Sequence, residues 1–183
     1  MCLFRCTPQR EICRLICGLG QGKVVQSIHD ERYLRRAIEL AKAGMHSGQG
    51  GPFGALVVRK NQIIAEGCNR VTIDNDPTAH AEIVAIRRAC ARLDSFQLHD
   101  CVIYASCEPC PMCLSAIYWS RAARIVYAGS RYDAADVGFD DDVIYRELAL
   151  QPGERGIAMQ QLLSAQGRQL LLEWGGLEHK VDY

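Results

Sequence analysis

Two short segments limit what this chain can become. Thr78-Ala79-His80-Ala81-Glu82 offers an imidazole with a carboxylate two residues on, and Cys107-Glu108-Pro109-Cys110-Pro111-Met112-Cys113 adds three thiols further along the chain. One nitrogen and two sulfurs are the donor set of a catalytic rather than a structural zinc site. Three protein ligands leave the fourth tetrahedral position to water, whose pKa the metal lowers to about 7. Whatever the fold, it has to bring these two stretches to one point.

Both segments read as helix starts. Pro77 and Thr78 precede the periodic run Ile83, Val84, Ile86, Ala89, Cys90, so Thr78 is expected to cap a helix with His80 and Glu82 in its first turn. Free N–H groups and the helix dipole favour negative charge there. In the second segment Pro111 suits a first helical position, which puts Cys110 at the cap and Cys113 near the third residue, where thiolates are stabilised. The spacing alone is ambiguous, because Cys107-x-x-Cys110 and Cys110-x-x-Cys113 are equivalent. Cys107, however, continues the apolar run Cys101-Val102-Ile103-Tyr104-Ala105 and is expected to end a strand as a buried thiol. Cys110 and Cys113 share a helical turn and are the expected ligands beside His80. Glu82 alone would be an ordinary helix-start acid. Joined to Pro-Cys-x-x-Cys it matches the zinc-deaminase signature, in which that glutamate moves protons and does not bind metal.

Length and charge set the outer limits. At 183 residues the chain suits one domain with an adequate core, so ten cysteines need not form a disulfide framework. No segment reads as a signal peptide or a spanning helix, and a reducing cytoplasm is the expected location, with no membrane partner. Basic and acidic side chains balance at 21 each. A grip on a nucleic-acid backbone usually needs a basic stripe, and none is visible. Arg87, Arg88 and Arg92 share a helix and read as a solvated face.

Read in order, residues 1–27 stand apart. They carry Cys2, Cys6, Cys13 and Cys17 without a nearby histidine and end in glycine punctuation, and are expected to be a mobile extension or to precede the true start. The domain is expected over 28–183. Ser27 to Asp30 offers caps for a helix with apolar residues Tyr33, Leu34, Ala37, Ile38, Ala41 and Met45. A strand from Gly51 to Val58 then turns at Arg59-Lys60-Asn61-Gln62 into a hairpin partner over 63–67. The His80 helix, a strand over 101–105, the Cys110 helix and a strand over 124–128 follow. Ala134 to Asp142 reads as a loop with a helix restarting near Val143, Ile157 to Leu162 as a further strand, and Leu170 to Trp174 as a final helix. Alternating strands and helices predict a three-layer α/β/α sandwich with a central mixed sheet.

The sequence resembles the guanine deaminases of the cytidine-deaminase-like superfamily over about residues 29 to 183. The likeness is strongest in Gly51-Pro52-Phe53-Gly54-Ala55, Asn75 to Glu82, Ser106 to Cys113 and Ala116-Ile117-Tyr118-Trp119. The zinc signature fits the whole superfamily; Gly138-Phe139-Asp140-Asp141 and the terminal Tyr183 narrow it. The resemblance implies that Asp141 contacts a purine, that Asn69 hydrogen-bonds the base, and that Phe53 and Trp119 surround the pocket. It also implies a homodimer whose exchanged C-terminal segment covers the partner's site, with Tyr183 as a lid element. The expected reaction is hydrolysis of guanine to xanthine and ammonia. Glu82 would accept the water proton and later protonate the leaving nitrogen. Asn69 can offer a purine edge both a donor and an acceptor, whereas the Asp141 carboxylate only accepts.

Two other readings share these residues. A tRNA adenosine deaminase, or another nucleobase deaminase such as a cytosine-type enzyme, would use His80, Glu82, Cys110 and Cys113 alike. The tRNA enzyme would in addition need basic contacts to a splayed RNA loop. A non-catalytic zinc module would close its site with a fourth ligand, Cys107 being the candidate, and would leave the His-Ala-Glu spacing unexplained.

Overall fold

A computed structural model describes residues 28–182; the expectations for residues 1–27 and for Tyr183 lie outside the described residues. Helix α1 spans Ile28–His46 and strands β1 and β2 span Gly54–Arg59 and Gln62–Cys68. The β1–β2 turn is Lys60-Asn61, both with positive φ (49° and 61°), the two-residue geometry that matches the twist of a hairpin. A short helix α2 over Val71–Asp74, which sequence reading did not foresee, leads to α3 over Ala81–Leu93. Then come β3 (Cys101–Cys107), α4 (Pro111–Trp119), β4 (Arg124–Gly129), α5 (Arg131–Ala135), α6 (Asp142–Ala149) and α7 (Ser164–Gly175).

The four strands are ordered β2-β1-β3-β4, antiparallel except for the parallel pair β3–β4, so the sheet is mixed as expected. Period-2 alternation sends consecutive residues of β1 to opposite faces, and both faces are covered. Leu56 and Val58 meet Tyr33 and Ala37 of α1 on one side. Ala55 and Val57 meet Ala81, Ala85 and Ala89 of α3, with Ile117 of α4, on the other. These are the three layers that the sequence predicted.

Two glycines permit the close approach of the helices. A Cβ on Gly54 would lie 2.3 Å from the Ala37 carbonyl oxygen, and one on Gly67 would lie 2.4 Å from that of Ala81. An ion pair between buried Asp30 and half-buried Arg124 fixes α1 to the far edge of the sheet. Asp30 accepts from Arg124 Nη1 and Nη2 at 2.9 and 2.7 Å and from the Tyr104 hydroxyl at 2.6 Å. Asp30 therefore lies inside the first turn of α1 rather than capping it.

Other expectations change for similar local reasons. Arg88 and Arg92 are not merely solvated: they donate to the carbonyls of Glu66 and Ile64 on the edge strand β2. Arg87 faces Asp76. The expected strand at Ile157 to Leu162 does not form; these residues have no regular structure and Ile157 is 82% exposed. In the sheet as described they pair with neither edge strand, β2 or β4. The loop expected over Ala134 to Asp142 begins instead with α5, closed by a capping box between Ser130 and Asp133.

Candidate active site

The N-termini of α3 and α4 converge beside the end of β3. His80 is the N-cap of α3 (φ −66°, ψ 156°) and Cys110 the N-cap of α4 (φ −62°, ψ 167°), with Pro111 at the first helical position and Cys113 two residues later. The α4 expectation thus holds. The α3 expectation needs correction, because Thr78 does not cap. Asp76 captures it, accepting from the Thr78 hydroxyl at 2.7 Å and from its N–H at 2.8 Å, and the helix begins two residues later.

The sulfurs of Cys110 and Cys113 each lie 3.5 Å from His80 Nδ1. Zinc bonds of about 2.3 Å to sulfur and about 2.0 Å to nitrogen give a tetrahedral edge of about 3.5 Å, so the three donors stand where that ion needs them. Among the described residues, this trio is the one cluster that could hold a metal. Cys107 does not join it. Its thiol donates to the Ser130 carbonyl at 3.5 Å, and burial pushes its pKa up to about 11. Cys107 is only partly buried and lines the cavity, not the core as expected.

The electrostatics call for a cation. The Cys110 thiol is pulled down to about 4, first by the hydrogen bond from Cys113 and then by His80. The same hydrogen bond, with burial, drives Cys113 up, so the pair shares one proton that a dication would displace. His80 is raised by its bond to Cys110 and by the nearby Glu82 and Asp141 charges. Glu82, 7% exposed, is pushed up to about 7 by burial. A carboxyl poised near neutrality suits a group that must both take and give a proton.

A cavity of about 330 Å³ opens in front of these groups. Phe53, Asn69, His80, Glu82, Cys110 and Asp141 line it, together with Phe139, Thr72 and Glu108, which sequence reading did not single out as contacts. Phe139 sits edge-on to Phe53, with ring centroids 4.8 Å apart. Its signal was already in the sequence as the aromatic of Gly-Phe-Asp-Asp. Cys113 lies behind the cavity, fully buried. Trp119 is not brought to this cavity. It ends α4, 61% exposed, beside Phe96, Trp174 and Val181. It is the last of the nine residues of α4, at the end opposite Cys110, which carries it away from the cavity of its own chain.

Asn69 is more restricted than its side-chain chemistry suggests. Its Oδ1 accepts from the N–H groups of Gly51 and Val71, both at 3.2 Å, which occupies the carbonyl and leaves the amide NH₂ as the group to offer a ligand. Gly50 makes this possible, since a Cβ there would come within 2.4 Å of the Asn69 Oδ1. Asp141 is the N-cap of α6 and half-buried; burial raises its pKa, and the Cys110 charge adds to the shift. One wall therefore presents donors and another an acceptor.

Residues 27–129 match the family described as cytidine and deoxycytidylate deaminase zinc-binding region. The chain is 48% identical to a guanine deaminase of Bacillus subtilis over 156 residues, 85% of this chain and all of that one. It is 36% identical to a tRNA-specific adenosine deaminase of Haemophilus influenzae over 76% of this chain and 84% of that one. A solved structure of guanine deaminase from Bacillus subtilis superposes with a TM-score of 0.81, at 49% identity, covering 84% of this chain and 98% of that chain. One of guanine deaminase from Nitrosomonas europaea gives 0.59 at 28% identity, covering 94% and 95%.

Proposed function

This chain belongs to the cytidine and deoxycytidylate deaminase family, and from that premise we propose that it hydrolyses guanine to xanthine and ammonia. One observation carries the choice of base. The family match ends at residue 129, before Asp141, whereas an alignment over 156 of the 183 residues reaches Asp141 wherever it begins, and the relative so matched is a guanine deaminase.

We propose that His80, Cys110 and Cys113 hold zinc. When bound, the metal supplies Lewis acidity and acidifies a water at its open position. The residues of the chain do the rest. Glu82 takes a proton from the attacking water and delivers it to the purine ring, then takes the second proton from the new C2 hydroxyl and gives it to the amine, so that the C2–N bond breaks, ammonia leaves and the C2–O bond remains as a carbonyl. No electrons are exchanged with a second substrate. The Asn69 NH₂ donates to a purine acceptor, Asp141 accepts a purine N–H, and Phe53 with Phe139 walls the base. A base presenting an acceptor toward Asp141 would be repelled.

We further propose that the protein acts as a homodimer in the cytoplasm, with the C-terminal segment exchanged and Tyr183 closing the partner's site. Exposed Leu170, Leu171, Leu172 and Trp174 on α7 support this, because an apolar surface of that kind usually finds a partner. Among the described residues no helix is long and apolar enough to cross a membrane.

The test is the purified protein loaded with zinc and offered guanine, adenine, cytosine and guanosine. Ammonia release from guanine is expected. Turnover of another base without guanine would keep the family chemistry and remove the substrate.

A further inference from the structure

Asp141 depends on a helix with little to hold it. None of the residues of α6 is buried, yet its N-cap must keep a carboxylate over the mouth of a cavity. One side chain of the helix reaches back to the loop that carries a metal ligand. Tyr145, half-buried and one turn after Asp141, donates its hydroxyl to the carbonyl of Pro109 at 3.4 Å. Pro109 is buried and immediately precedes the ligand Cys110. The Tyr145 N–H donates in turn to the Asp141 carbonyl at 3.2 Å.

The Tyr145 ring is itself pinned. The Arg131 guanidinium lies 4.7 Å from its centroid and 5.0 Å from that of Tyr132, and the Arg131 N–H donates to Glu108 at 3.1 Å. Arg131 thus bridges α6 to the loop that carries Cys110.

We propose that Tyr145, held by Arg131, is the positioning residue that fixes Asp141 relative to the metal ligands. It touches neither substrate nor metal. The inference rests on the reading of Asp141 as a substrate contact, and it predicts that loss of Tyr145 is felt through Asp141 alone.

A double-mutant cycle decides it. Tyr145→Ala is expected to lower kcat/KM for guanine about tenfold, mostly through KM, with one metal still bound per chain; Tyr145→Phe, which keeps the ring on Arg131, loses less. On an Asp141→Ala background the same Tyr145→Ala change is expected to cost less than about twofold. A full tenfold loss on that background, or loss of metal, would overturn the inference and assign Tyr145 to the Cys110 loop instead. Amide exchange at Ile144 and Tyr145, whose N–H groups both bond to the Asp141 carbonyl, needs no turnover. It should rise about tenfold or more in Tyr145→Ala, and unchanged exchange would overturn the inference even if the wild-type protein proved inactive on guanine. Inactivity of the wild type would count against the substrate alone.

Discussion

The two halves of the site are built to different standards. His80, Glu82, Cys110 and Cys113 come from the starts of two helices pressed onto the sheet, where Ala81, Ala85 and Cys113 have no solvent exposure at all. Asp141 and Phe139 come from a segment in which Ala134 is the one buried residue described after β4. The first half has no room for adjustment, as close-packed interiors have none. The second has fewer attachments among the described residues, with Tyr145 and Phe139 reaching back to the rest of the site. Under the proposed function, the metal and proton chemistry sits in the buried half, and the choice of base in the half with little contact to the core.

The sharpest way to break this contrast is to remove a ligand. Cys113→Ser should reduce bound metal from one per chain to near none and turnover to background, measured by metal analysis and ammonia release. Full metal retention would mean that the site has other donors. Asp141→Ala should leave metal content unchanged and lower kcat/KM for guanine about 10- to 100-fold, the scale of one lost hydrogen bond to a recognised group. An equal loss for all bases would move Asp141 from recognition to chemistry.

Smaller effects probe the core alone. Gly54→Ala puts a Cβ against the Ala37 carbonyl and should cost about 1–3 kcal/mol, visible as a lower Tm with the base preference intact. The smallest concerns pH. Arg36 donates to Glu66 at 2.7 and 2.8 Å and holds its carboxyl below the ordinary value of 4.5. The folded state thus binds this proton less readily than the unfolded chain. The contribution is complete above about pH 4.5 and is lost as pH falls through the lowered value. Because the pair is partly exposed, it should be worth about 0.2–1 kcal/mol, and Glu66→Gln should flatten that limb of a Tm-against-pH curve.

The sequence was most legible where local rules coincide with tertiary demands. Pro111 sets Cys110 as a cap because a proline needs no N–H partner at a first helical position. The hairpin was readable from Lys60-Asn61, and the layers from apolar runs buried on both sides. Thr78 misled because Asp76 competes for the same hydroxyl, and a cap is decided by which acceptor or donor is nearer rather than by residue type. Asn69 misled in a similar way: its identity told of a donor and an acceptor, but only the fold could show two backbone N–H groups already on the oxygen. Trp119 was expected at the pocket from resemblance, and its own helix carries it elsewhere. The C-terminal segment was least legible, since apolar residues without a visible partner fit a strand, a helix or another subunit equally well.

The proposed reaction needs three protein donors that leave an open metal corner, served by Glu82 as proton carrier. Glu82→Gln, which keeps size and removes the titrating group, tests it directly in a zinc-loaded protein with metal content and guanine turnover measured on the same sample. One metal per chain and a kcat lowered by about 10²- to 10⁴-fold are expected. Turnover near the wild-type rate with metal still bound would contradict it.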